Sequence, residues 1–264
     1  MKKLSFIILV SILAFVVGCD KESSLPVRFS PAQSGARLKF LHMSPDAPSV
    51  LIYANDIKIT AIAPATNGQE NGLGFGALYP ANLGYSIVPS GQSVKIDVRV
   101  PANSPVLPGT TAFTANLPIG EGKYYTLAAV DSLSKLSTVV IEDDLSVGDP
   151  SKAYFRIANF MNNSPAKIEV HNTTLTPSNV TNATTMKYAI GSLPFKNVAA
   201  FDTLTPGQVY RFILKNPVTD ARLDSVTISN FPAARKFTLY VRGVLGQSGS
   251  TNTRRPLIFQ YANL

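Results

Sequence analysis

Apolar and polar residues alternate with a period of two along much of the chain. Val94, Ile96, Val98 and Val100 alternate with Lys95, Asp97 and Arg99, and Phe237, Leu239 and Val241 alternate with Thr238, Tyr240 and Arg242. Successive side chains of a strand point to opposite faces, so each stretch predicts a β-strand with one buried and one polar face. Further short apolar runs at Tyr124 to Val130, Ser137 to Ile141, Val209 to Leu214, Val226 to Ile228 and Leu257 to Tyr261 predict more strands. Proline and glycine clusters such as Asn103-Ser104-Pro105-Val106-Leu107-Pro108-Gly109 break the chain between them. No 3.6-residue apolar period persists beyond the N-terminal segment, so the pattern is all-β.

The pattern also recurs. Ala36-Arg37-Leu38-Lys39-Phe40, followed by Ser44-Pro45, is echoed by Ala153-Tyr154-Phe155-Arg156-Ile157, followed by Ser164-Pro165. Pro89-Ser90-Gly91-Gln92-Ser93-Val94 is echoed by Thr205-Pro206-Gly207-Gln208-Val209. A duplicated unit of alternating strands predicts two tandem antiparallel β-sandwich domains, immunoglobulin-like in class, over residues 35–148 and 149–264. The seam falls in the turn-rich Val147-Gly148-Asp149-Pro150.

The N-terminal segment is built differently. Lys2 and Lys3 precede a mostly apolar run from Leu4 to Val17 and the small residue Gly18, the three parts of a secretory signal peptide over residues 1–18. The run falls short of the roughly 20 residues that span a bilayer, which argues against an uncleaved anchor. Val16-Val17-Gly18-Cys19 resembles the lipobox of bacterial lipoproteins, and the resemblance implies that Cys19 is lipidated after cleavage before it. Cys19 is the sole cysteine of the chain, so an intrachain disulfide is excluded. Residues 19–34 are polar and proline-punctuated and read as a flexible tether, about 50 Å long when fully extended at about 3.3 Å per residue. By analogy, Asp20 and Glu22 fit either retention at an inner membrane or a surface-export signal. The expected place is the outer membrane or cell surface of a Gram-negative bacterium, with the membrane as partner through the lipid.

Charge is unevenly distributed over a chain whose net charge is +8. From Gly35 to Gly148 there are 7 basic and 9 acidic residues, and from Asp149 to Leu264 there are 13 and 5. The C-terminal half therefore suits an anionic glycan, lipid headgroup or acidic protein surface, or simply presents a solvated basic face. Nucleic acid fits poorly, because an exported chain without a basic run offers no electrostatic track for it.

The stretch from Arg37 to Tyr53, with Ser44-Pro45-Asp46-Ala47-Pro48 at its centre, resembles the opening signature of an exported bacterial family catalogued as domain of unknown function 4397. Gly122-Lys123-Tyr124-Tyr125-Thr126-Leu127 and Glu142-Asp143-Asp144 resemble its closing segments. The chain departs from the family at Leu51, where an acidic residue is usual, and at Asn55-Asp56, where a glycine-bearing turn is usual. The resemblance implies a β-sandwich-like module, often lipid-anchored, with no established activity.

Read as chemistry, Pro45 and Pro48 fix two φ angles while Asp46 accepts backbone N–H bonds, so Ser44, Pro45, Asp46 and Pro48 form a structural turn or a ligand-binding one. A lone carboxylate falls far short of a calcium site. His42 is in phase with Leu38 and Phe40 and reads as a hydrogen-bonded core residue. His171 occupies a different place in its unit, so no duplicated metal site arises. No nucleophile elbow, zinc helix or phosphate loop occurs, and no cofactor is expected. The remaining catalytic option is a hydrolase using carboxylates such as Asp46, Asp143 or Asp144, although adjacent Asp143 and Asp144 on a strand point apart. The expected function is a lipid-anchored, non-catalytic binding or adhesion module of the cell envelope, with a glycan or an envelope protein as partner. The alternatives are a structural or assembly subunit of that surface and the carboxylate-dependent hydrolase.

Overall fold

The computed structural model describes residues 34–81, 84–174 and 185–263. The expected signal peptide, Cys19 and all of the expected tether but Ser34 lie outside the described residues.

Nine strands form two sheets in the N-terminal half: β1 (Ala36–His42), β2 (Leu51–Ala54), β3 (Ile57–Lys58), β4 (Leu78–Tyr79), β5 (Ser86–Val88), β6 (Gly91–Arg99), β7 (Thr111–Ile119), β8 (Tyr124–Val130) and β9 (Ser137–Glu142). The order β4-β1-β8-β9, with β5 also on β1, faces the order β3-β2-β6-β7. Eight strands follow: β10 (Ala153–Asn162), β11 (Ala166–Asn172), β12 (Met186–Leu193), β13 (Asp202–Leu204), β14 (Val209–Lys215), β15 (Arg222–Ser229), β16 (Lys236–Val244) and β17 (Leu257–Ala262). Their orders are β13-β10-β16-β17 and β12-β11-β14-β15. The echoed stretches of sequence take equivalent places, at β1 and β10 and at the entries to β6 and β14. The fold is an all-β arrangement of sandwiches.

Among the described residues, every strand pair is antiparallel except β1 with β8 and β10 with β16, which run parallel. A parallel pair needs a long crossover, and in each half the intervening strands of the opposite sheet supply it. The β2–β3 hairpin turns on Asn55 (φ 47°) and Asp56 (φ 64°). These two residue types tolerate the left-handed region a two-residue hairpin demands, so the turn closes without the glycine usual in the resembling family.

Inner faces build one core per half. Leu38, Phe40 and Leu127 meet Ile52, Ile96 and Val98 in the first, and Phe155, Ile157 and Leu239 meet Ile168, Val170 and Phe212 in the second. The opposite faces of β1, β8, β10 and β16 are buried too, because Leu41, Met43, Ala128 and Val130 form a third cluster with Ala158, Phe160, Tyr240 and Tyr261. This corrects the expected polar face of β16: Thr238, Tyr240 and Arg242 are buried. The period of two is real there, but its second face meets a sheet instead of water.

Candidate functional site

The Ser44-Pro45-Asp46-Ala47-Pro48 turn leaves β1 under tight control. His42 and Met43 donate backbone N–H bonds to Ala77 O (3.0 Å) and Ala129 O (2.7 Å). Ser44 and Pro45 are buried and Asp46 is exposed. Asp46 Oδ1 accepts the Leu133 N–H at 2.9 Å, which ties the turn to the 3₁₀ turn Leu133–Lys135. Its carboxylate thus caps a neighbouring loop. Pro48 O accepts a bond from His42 Nε2 at 3.0 Å, which sets the tautomer with the proton on Nε2. Burial pushes the His42 pKa below its usual value, against the opposing pull of the Pro48 bond.

Beyond the turn, Pro48 and Ser49 form one wall of a cavity of about 400 Å³. Glu70, Asn71 and Gly72 supply the second wall, and the loop from Pro101 to Val106 closes it. Sandwich loops are free of ladder constraints and so carry variable chemistry on a rigid frame. Here each wall is held by its own bonds. Val50 and Leu73 exchange backbone bonds of 2.9 and 2.7 Å, Asn71 Nδ2 donates to Ala63 O at 2.8 Å, and Ser104 Oγ donates to Val106 O at 2.8 Å. A Cβ on Gly72 would lie 2.8 Å from Ser49 Cβ and from Val50 N, so glycine is what lets these two segments touch. Glu70 is paired with Lys58 and half-exposed. The lining therefore combines a carboxylate, amides and hydroxyls with the apolar faces of Pro48, Pro101, Pro105 and Val106. Of the turn residues singled out from the sequence, Pro48 alone lines this cavity. Asn103 to Val106 read as a mere strand breaker, and the Asn-Ser-Pro composition was the available signal.

The carboxylate cluster does not converge. Glu142 pairs at the surface with Lys123 at 2.8 Å, and Asp144 accepts the Ser146 N–H at 2.9 Å; the Ser146 hydroxyl first and this backbone bond second hold the Asp144 pKa below the usual value. Asp143 is buried between the halves. Its carboxylate pairs with Arg156 and accepts bonds from Thr126 Oγ1 (2.6 Å) and Tyr85 OH (2.9 Å). From Arg156 a second path returns to the same carboxylate. Arg156 Nε donates to Thr238 Oγ1 (2.9 Å), Thr238 to Asn263 Oδ1 (2.7 Å), and Asn263 Nδ2 to Tyr85 OH (3.1 Å). Burial is the largest single influence on Arg156 and lowers its pKa, but the charges of Asp143 and Tyr261 and the bonds to both together outweigh it, and the net shift is upward.

Lys39 lies nearby, donating to Gly84 O at 2.6 Å with its ammonium 4.9 Å from the Tyr85 ring centre. Burial pulls its pKa down to about 8 against the attraction of Asp143. His171 bonds Thr185 Oγ1 (2.9 Å) and Glu169 (3.3 Å) inside the second half, apart from His42. Among the described residues, no three His, Cys, Asp or Glu side chains are placed to hold a metal ion.

No curated protein matches the chain. Among solved structures, the chain is similar at 13% identity and a TM-score of 0.24 to CBMbc, of family CBM26, from Eubacterium rectale Amy13K, determined in complex with maltoheptaose. The similarity covers 86% of this chain and 96% of that one. The family described as Domain of unknown function (DUF4397) matches residues 36–171, from the start of β1 into β11. That span is just over half of the chain and contains the turn, the cavity and the Asp143–Arg156 pair, and the chain belongs to the DUF4397 family.

Proposed function

We propose that the chain is a lipid-anchored protein of the cell envelope that acts as a non-catalytic binding or adhesion module, with duplicated units at 35–148 and 149–264. The observation that carries the binding reading is the cavity of about 400 Å³ framed by Pro48, Glu70 and the loop from Pro101. It sits at the size range of ligand sites, and its carboxylate, amide and hydroxyl rim suits a polar ligand such as a glycan or a segment of another envelope protein. The signal peptide and Cys19 support attachment, since two or more acyl chains hold a protein stably on a membrane. The location in the outer membrane or at the cell surface rests on the same segment. Catalysis is the weaker reading: Asp143, the most buried of the candidate carboxylates, is taken up by Arg156, Thr126 and Tyr85. The reading as a structural or assembly subunit draws on the buried contact between the two halves, which would make a stiff spacer.

Two experiments test this proposal. Changing Cys19 to serine is expected to move the protein from the membrane to the soluble fraction, or to leave an unprocessed precursor. Unchanged partition and mass would remove the anchor. The compact unit from Ser34 onward, offered to glycan arrays and envelope extracts at low salt, is expected to retain a ligand that Glu70→Ala weakens. Recovery of nothing favours the spacer.

A further inference from the structure

The geometry points to a second binding site, on the C-terminal half, for an anionic saccharide bearing uronate or sulfate groups; it rests on the binding reading above and names a ligand class for it. A cleft of about 400 Å³ opens where the start of β15 meets the loop between β16 and β17, lined by Arg222, Gln247, Ser248, Ser250, Arg255 and Pro256.

The loop that carries Gln247 and Arg255 is braced before any ligand arrives. Asn252 braces the loop from within, donating Nδ2 to Gln247 Oε1 at 2.9 Å and accepting the Arg254 N–H on Oδ1 at 3.0 Å. Arg242, buried between the rings of Phe75 and Phe259 at 4.7 Å from each centre, donates Nη1 to Thr253 O at 3.0 Å and so fastens the loop to the core. Gly243, at φ 112°, permits the close approach that sets Arg255: a Cβ there would lie 2.3 Å from Arg255 O. The Arg255 guanidinium stands 4.0 Å from Asp224 Oδ1, and Asp224 is itself fixed by the Ile258 N–H at 3.0 Å.

Each of the two guanidiniums lining the cleft carries the planar fork of donors that binds a carboxylate or sulfate bidentately. The serine hydroxyls and the glutamine amide beside them suit sugar hydroxyls, and preorganised donors lose little entropy on binding. The half that carries them has 13 basic against 5 acidic residues, which steers an anionic polymer towards it. Leu223, which also lines the cleft, and Leu245 at the start of the loop both pack against the second core, so neither is free to insert into a lipid surface.

The test uses the full chain and titrates it with oligogalacturonate and with dextran sulfate, against neutral dextran and anionic vesicles as comparators. Binding to the charged saccharides and not to dextran is expected. Arg222→Ala with Arg255→Ala should weaken it by about tenfold or more, and Arg222→Lys with Arg255→Lys should fail to restore it. Lys152→Ala with Arg235→Ala, which removes the same charge away from the cleft, should leave it within about twofold. Equal losses in the two alanine pairs, full rescue by lysine, tighter binding to vesicles than to saccharide, or no binding of either charged saccharide would each overturn the site. In any of those cases a ligand held through Glu70 keeps the broader binding reading alive, so the two failures are separable.

Discussion

Asp143→Ala is expected to destabilise the chain by about 3–5 kcal/mol, the usual consequence of leaving one member of a buried ion pair without its counter-charge. The Arg156 side chain is 5% exposed and that of Asp143 is fully buried, so no water replaces the lost carboxylate. Thr126 and Tyr85 also lose the acceptor of their hydroxyl protons, and each donor left without an acceptor adds to the loss. The bonds from Arg156 through Thr238, Asn263 and Tyr85 end at the same carboxylate, so the change reaches both halves of the chain. Replacing the pair together, as Asp143→Leu with Arg156→Met, removes both charges and is expected to recover most of the stability, since desolvating two charges offsets much of their attraction. Denaturant midpoints for the two variants check this. A single alanine variant within about 1 kcal/mol of the parent would show that the pair does not hold the halves in register.

The sequence made the strands legible wherever one face was apolar and the other polar. β6 and β16 were visible for that reason, β8 and β14 as short apolar runs between turn signals, and the repeated stretches marked β1 and β10 as equivalents. β7 and β12 escaped notice because they are edge strands whose residues are mostly exposed or half-exposed, and an edge needs no apolar alternation to pair. The second buried face of β16 was hidden by its own residues: Thr238, Tyr240 and Arg242 read as a solvent face, and only the tertiary fold reveals that Arg242 lies between Phe75, in the loop before β4, and Phe259 of the adjacent β17. The acidic triplet at 142–144 was legible as a cluster but not as a division of labour. Its middle member crosses to a partner 13 positions away, which no local spacing announces. The cavity at Pro48 was half legible: the turn stood out, whereas Glu70, Asn71 and Gly72 reach it through a bridge between Val50 and Leu73 that depends on the tertiary fold.

Phe231→Ala is expected to cost about 4–5 kcal/mol, near the upper end for a buried phenylalanine. The residue lies outside any strand, after Asn230 at φ 64°, and no periodicity flags it. Its ring is nonetheless fully buried and is ringed by three others in edge-on contact, Phe237 at 4.9 Å, Phe212 at 6.0 Å and Tyr210 at 6.2 Å between centres. Edge-on aromatic pairs contribute about 0.5–1.5 kcal/mol beyond the area they bury, and all three vanish together. The rings that remain sit on β14 and β16, whose ladders keep them from collapsing into the space, so a cavity persists and its cost is felt in full. Phe231→Leu, which fills much of the volume without a ring, is expected to fall between the parent and alanine, and Val218→Ala, at an 86% exposed position, to stay within about 0.5 kcal/mol. Denaturant unfolding of the three variants reads the series. A loss below about 2 kcal/mol for alanine would mean that the loop from Asn230 closes over the gap, and the aromatic cluster would then be filling the second core without fixing it.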